Sequence, residues 1–243
     1  MSVEKIMKPE VKLLRTEKIR SFDRKRLLEE TIKNNPQLSS LESKVRSLES
    51  LIEPLIYARE LKISEWDEHK ICFDEGALIF SSGYLASGLK DCSKAILVLV
   101  TLGKKLPAYA DECNQKGLIG EAVLADLLGS EFIEKLTEHY YGFKQKSGIS
   151  RGFFPTLRFS PGYGDWELKE QSLILPYLGA EEDVVLTPEY LLVPIKTITA
   201  IWGWSTKPQK KEYPRGNIRK GFCAGETTCA NCRTWACKKQ EKK

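Results

Sequence analysis

The stretch Lys94–Gly103, KAILVLVTLG, constrains this chain more than any other. Its branched aliphatic side chains are stiff at χ1 and pack well on a pleated surface. A short continuous apolar run of this kind reads as a buried central strand, and Gly103 ends it. The 43 residues that follow, 104–146, are strongly helical. Within them GEAVLADLLGSEFIEKLTEHYYGF sets Val123, Leu124, Leu127, Leu128, Ile133 and Leu136 along one stripe, an apolar face seeking a sheet.

The remaining segments fit the same plan. SFDRKRLLEETIKNN predicts a short helix with Ser21 or Asp23 as its N-cap. SLESKVRSLESLIEPLIY places Leu41, Val45, Leu48, Leu51 and Ile52 at helical spacing. LIYARELKI and HKICFDEGALIF read as strands joined by short turns, and GYLASGLKDC as a short helix ending near Gly88. ELKEQSLILPYL predicts another short helix, and a β-hairpin is expected from DVVLTPEYLLVPI to KTITAIWGW, with Trp202 and Trp204 packed on the sheet. The expected fold class is α+β: a mixed or antiparallel sheet flanked by helices. The expected organisation is a basic helical extension over 1–38, a main domain over 39–205 and a basic cysteine-rich tail over 206–243.

A chain of 243 residues with 42% hydrophobic content can build one large or two small cores. No run reaches the roughly 18 apolar residues of a membrane span. The N-terminus is charged throughout, with no apolar leader core. The expectation is a cytoplasmic protein without membrane contact. The net charge of +5 is uneven: residues 206–243 carry +8 and the rest −3. Such a tail suits an acidic partner or nucleic acid, or is simply solvated.

The common catalytic patterns are missing. There is no G-x-S-x-G, no G-x-x-x-x-G-K-[ST] and no G-x-G-x-x-G. His69 and His139 have no cysteine or carboxylate at ligand spacing. Side-chain acid–base catalysis is therefore poorly supported. RFSPGYGDW, Arg158 to Trp166, suggests binding instead. An arginine clamps a carboxylate through two parallel hydrogen bonds. Glycines admit a ligand to backbone groups, and Tyr163 adds a flat face with a polar tip. That combination suits a small zwitterion carrying an aromatic ring. The competing reading is a structural turn with Arg158 in a surface salt bridge.

RFSPGYGDW, a helix, and then LTPEYLLVPIKTITAIWGW together resemble the activation (reactivation) domain of cobalamin-dependent methionine synthase, most of all its stand-alone versions. Arg158, Gly162 and Tyr163 match the family's Arg, three residues, Gly-Tyr pattern; Thr187, Tyr190, Pro194 and the strand after Lys196 match a later segment. The helix GEAVLADLLGSEFIEKL is also similar, with groove acids Glu121, Asp126 and Glu134, and the likeness spans about residues 40–204. Thr-Pro-Glu-Tyr departs from the family's Thr-Glu-Ser-Tyr. The resemblance implies a C-shaped domain that binds S-adenosylmethionine in a shallow groove. Arg158 would grip the ligand carboxylate, while Ser160, Pro161, Gly162, Tyr163 and Tyr190 shape the groove. It implies reductive methylation of cob(II)alamin on a partner corrinoid protein or cobalamin-dependent methyltransferase, with an electron donor such as flavodoxin or ferredoxin.

Seven cysteines would be unusual as disulfides in a cytosolic chain. Cys72, Cys92 and Cys113 are scattered, as small packed hydrophobes would be. Cys223, Cys229, Cys232 and Cys237 form C-x5-C-x2-C-x4-C, compatible with an iron–sulfur cluster, with zinc, or with an unmetallated tail. Two further readings stay open. One is a corrinoid-protein adaptor or iron–sulfur electron-transfer module that does not bind S-adenosylmethionine. The other, weaker, is a nucleic-acid-binding protein using the tail as a zinc knuckle.

Overall fold

The computed structural model describes residues 15–209. The central strand is where the sequence puts it. Every residue from Ala95 to Thr101 is buried, and the side chains alternate between two separate cores. Ile96, Val98 and Val100 enter one; Ala95, Leu97 and Leu99 enter the other. A period of two on a strand buried on both faces is what makes the run apolar without interruption.

In chain order the elements begin with β1 (Glu17–Ile19), α1 (Arg24–Asn34), α2 (Pro36–Ser40) and α3 (Glu42–Ser47). They continue with β2 (Leu55–Trp66), β3 (Ile71–Phe73), β4 (Leu78–Phe80), α4 (Gly83–Leu89) and the central strand β5 (Lys94–Thr101). Then come α5 (Lys105–Gln115), α6 (Ile119–Ile149), β6 (Phe154–Pro155), α7 (Gln171–Leu178), β7 (Val185–Leu186), β8 (Leu192–Val193) and β9 (Thr197–Ser205). Seven strands form one sheet in the order β4-β3-β2-β5-β9-β6, with β1 added to β2. Every ladder is antiparallel. β2 runs beside β5 as far as Lys62, then shifts register between Ile63 and Glu65 and pairs with β3. This change of partner within one strand curls the sheet into an open half-barrel. Helices α1–α3, α5 and α6 cover one face; α4 and α7 cover the other. None of the described helices is long and apolar enough to cross a membrane.

Asp23 is the N-cap of α1, accepting the Arg26 N–H at 3.0 Å. Four expectations need correction. The apolar stripe of residues 41–52 is not one helix: α2 starts at Pro36 as N1 with Asn35 as its cap, and α3 and a 3-10 turn at Glu49–Leu51 follow. Val45, Leu48 and Ile52 still reach the core, but Leu41 sits at the junction and is exposed. The helical stretch 104–146 is two helices, broken at Gly117, whose φ is +73°. On α6 Val123 is exposed, whereas Leu124, Leu128, Ile133 and Leu136 are buried. Finally, DVVLTPEYLLVPI does not pair with KTITAIWGW. It closes on itself as the small hairpin β7–β8, and β9 instead lies beside β5 from Thr197 to Trp204. Trp202 and Trp204 pack into the helix-covered core as expected.

Candidate functional site

The motif Arg158–Trp166 divides into an anchored half and a presented half. Asp165 anchors it to the start of α4: its carboxylate accepts the Ser82 hydroxyl at 2.5 Å, the Gly83 N–H at 3.0 Å and the Tyr84 N–H at 3.1 Å. Trp166 is buried against Phe80, and its indole N–H donates to Glu170, which also accepts the Ser81 N–H. Phe159 bridges Ile201 of β9 with two backbone bonds of 2.8 Å. With both ends held, the chain between them must arch away from the sheet. Gly162 turns at φ +90°, and its N–H reaches the Trp166 carbonyl at 2.7 Å.

Under that arch lies a cleft of about 420 Å³. Its floor is β9 from Thr197 to Ala200; its walls include Arg158, Ser160, Pro161, Tyr163, Glu134 of α6, Tyr84 of α4, Leu168, Gln171 of α7 and Leu192 of β8. The volume falls in the ~300–1,000 Å³ range of small-molecule sites. Walls that mix apolar side chains such as Leu168, Leu192 and Ile198 with polar ones, including one cation and one carboxylate, suit a ligand that is apolar at one end and charged at the other.

Of the residues singled out in the sequence, the structure brings Glu134, Arg158, Ser160, Pro161 and Tyr163 together at the cleft. Arg158 donates to Glu134 at 3.2 Å, and both are solvent-accessible. Arg158 thus makes a surface salt bridge and also lines the cleft. The groove acids separate. Helical rise of 1.5 Å per residue sets Glu121 about 20 Å from Glu134, and Glu121 pairs with Lys44 at 2.8 Å. Asp126 pairs with Lys196 at 2.6 Å, which pins the start of β9 to α6. Neither Glu121 nor Asp126 lines the cleft. Lys44 accounts for a Glu121 carboxyl held below the usual range.

Tyr190 stands at the tip of the β7–β8 hairpin, exposed, with a left-handed φ of +63°. Its ring is not part of the cleft wall, but its carbonyl accepts the Gln171 amide N–H at 2.9 Å. The other end of that amide accepts the Thr199 hydroxyl at 3.2 Å. Buried Gln171 therefore joins the hairpin tip to the cleft floor, and nothing in its sequence neighbourhood marks it. Tyr84, Leu168, Leu192 and residues 197–200 were equally silent, because each comes from a different element.

His69 and His139 are exposed. Cys72, Cys92 and Cys113 are buried free thiols, and burial pushes the Cys92 thiol up to about 12. Among the described residues no three His, Cys, Asp or Glu side chains converge as a metal ion requires. Cys223, Cys229, Cys232 and Cys237 lie outside the described residues.

No family model matches the sequence, and no curated protein does. Solved structures do match the fold. It is similar to a crystal structure of the MetH reactivation domain bound to AdoHcy, with a TM-score of 0.52 and 14% identity. The match covers 76% of this chain and 66% of the other, so the chain spans just under two thirds of that protein's length. This chain has the fold of a methionine synthase reactivation domain.

Proposed function

We propose that this protein is a reactivation subunit for a cobalamin-dependent methyltransferase. It binds S-adenosylmethionine in the cleft beneath Arg158–Tyr163 and presents the sulfonium methyl to a corrinoid held by a partner protein. The observation that carries this reading is the Arg158–Glu134 pair on a cleft wall. An amino-acid head group is a zwitterion of matching polarity. Its carboxylate replaces Glu134 on the guanidinium, and its ammonium takes up the released Glu134 carboxylate. A solvent-accessible ion pair is worth only about 0–1 kcal/mol, so opening it costs little. The apolar walls formed by Tyr84, Leu168, Ile198 and Leu192 then suit the adenosine end. That the neighbour in fold carries AdoHcy, the demethylated form of the same ligand, supports the assignment.

The protein's task in this reading is alignment. The sulfonium methyl is already activated, so what the site supplies is orientation and exclusion of water. Partner cobalamin is the methyl acceptor; with one electron from a flavodoxin- or ferredoxin-type donor the transfer leaves S-adenosylhomocysteine in the cleft. Exposed Tyr163, Tyr190, Leu191, Val193 and Ile195 offer an apolar surface beside the cleft for that partner. The four-cysteine segment is the place for an iron–sulfur relay or a zinc site in the same scheme. Iron, zinc and sulfide assays on anaerobically purified protein separate these: a colourless, zinc-loaded sample removes the relay.

Calorimetry with S-adenosylmethionine tests the central claim. We expect binding that Arg158→Ala weakens by about 1.5–3 kcal/mol, the scale of charge-assisted hydrogen bonds. If the wild-type protein shows no binding, the adaptor or electron-transfer reading replaces this one.

A further inference from the structure

β9 changes its surroundings along its length. On one side it pairs with β5 throughout. On the other, β6 meets Ser205 and Trp204, Thr156 exchanges bonds with Gly203, and Phe159 exchanges bonds with Ile201. In an antiparallel strand the backbone N–H and C=O of alternate residues point to the same side. Gly203 and Ile201 both bond outward, so Thr199 also presents its N–H and C=O outward. There the neighbouring chain departs through Ser160 and Pro161, and proline has no N–H to give. Among the described residues no strand pairs with β9 below the Ile201 bridge. The gap is the cleft, which Thr199, Ser160 and Pro161 all line. Polar backbone groups on an unpaired edge inside a cleft call for a partner.

The N–H and C=O of one extended residue are the closely spaced donor and acceptor of an antiparallel sheet. A flat heterocycle with a ring-nitrogen acceptor beside an exocyclic amino donor complements them. We propose that the Thr199 backbone reads the Watson–Crick edge of an adenine ring, its N–H donating to N1 and its C=O accepting from the 6-amino group. This rests on the adenosyl ligand proposed above and assigns the end of it that Arg158 does not hold. The Thr199 hydroxyl is already committed to Gln171, so the backbone pair alone reads the base. A peptide strand needs a longer open edge than this one, which Phe159 closes at Ile201.

The test is calorimetry with S-adenosylhomocysteine and its 1-deaza analogue, in which C–H replaces N1. The wild type should prefer S-adenosylhomocysteine by about tenfold, the scale of one hydrogen bond. Thr199→Pro deletes the outward N–H together with the hydroxyl bonded to Gln171, but no bond to β5, because those come from Ile198 and Ala200, and the two ligands should then bind alike. Thr199→Val loses the hydroxyl alone and keeps the N–H, so it should keep the preference. Equal affinities in the wild type, or a preference that survives Thr199→Pro, would overturn the assignment. Should Thr199→Pro fail to fold, the wild-type titrations still test the claim, because equal affinities overturn it. S-adenosylhomocysteine that does not bind at all defeats the adenosyl ligand itself, and this assignment with it.

Discussion

Asp165 holds Tyr84: the carboxylate near the end of the glycine-rich motif accepts the Tyr84 N–H at 3.1 Å, at the first turn of a helix eighty-one residues earlier. The motif's acid is thus a helix cap delivered from a distance. Asp165→Ala leaves the Gly83 and Tyr84 N–H groups and the Ser82 hydroxyl to find other partners. We expect a loss of about 1–2 kcal/mol, read as a thermal midpoint lowered by roughly 3–6 °C.

Gly164 is packed against the same tyrosine. Its φ is +63°, and a Cβ built on it would lie 2.6 Å from Tyr84 Cγ. Gly164→Ala therefore combines backbone strain with overpacking and should destabilise by about 2–4 kcal/mol in denaturant melts. Gly152 also has a positive φ, +80°, but nothing stands near its absent side chain, so Gly152→Ala should cost only the backbone share of that penalty, about 1–2 kcal/mol.

Glu134 separates binding from folding. Its side chain is accessible and its pairing with Arg158 is a surface one. Glu134→Gln should leave the thermal midpoint nearly unchanged. It should weaken S-adenosylmethionine binding by about 1 kcal/mol or more in calorimetry, because the ligand ammonium loses its charged partner.

Much of this architecture is legible in the sequence, and the parts that are not share a cause. β5 announces itself because both its faces are buried, and α1 because Asp23 precedes it. Local chemistry decides both. β7 and β8 are two residues each, too short for any period to show. Their pairing is set by Thr187, whose N–H bonds the Leu191 carbonyl and whose carbonyl accepts the Tyr190 N–H. The choice of β5 rather than β7 as the partner of β9 is a matter of topology, which spacing does not encode. The cleft divides the same way. Arg158 to Tyr163 form one continuous, chemically unusual segment and could be read. Gln171 and Thr199 are ordinary residues that become a site only once α7 lies across β9.

Gln171 can be tested by the two bonds its amide makes. Gln171→Leu strands the buried Thr199 hydroxyl and frees the Tyr190 carbonyl, and should cost about 1–3 kcal/mol of stability. Gln171→Glu retains an acceptor for Thr199 but loses the donor to Tyr190. It should recover part of that stability while binding the ligand more weakly than the wild type. Melts and titrations on the two variants separate the contributions.

The N-terminal strand offers a pH test. Asp183 accepts a salt bridge from Lys18 at 2.7 Å and the hydroxyl of Tyr57, so it clips β1 and β2 to the loop after α7. Burial pushes this carboxyl up, but the hydrogen bonds from Lys18 and Tyr57 and the charges of Lys18 and Arg20 outweigh it, leaving it below its ordinary 3.8. A carboxyl lowered on folding stabilises the native state fully above its unfolded value and loses that contribution as pH falls through the folded one. The stability gap between wild type and Asp183→Asn should therefore be present at neutral pH and shrink on acidification below 3.8.

β9 is bonded to the central strand along the whole of the cleft floor. Such a floor cannot yield without tearing the middle of the sheet, so a ligand must enter and leave by way of the rim. The lightest part of that rim is the four-residue ladder of β7 and β8. Residence time should follow how firmly that small hairpin is tethered, and the Gln171 bond to its tip is one such tether.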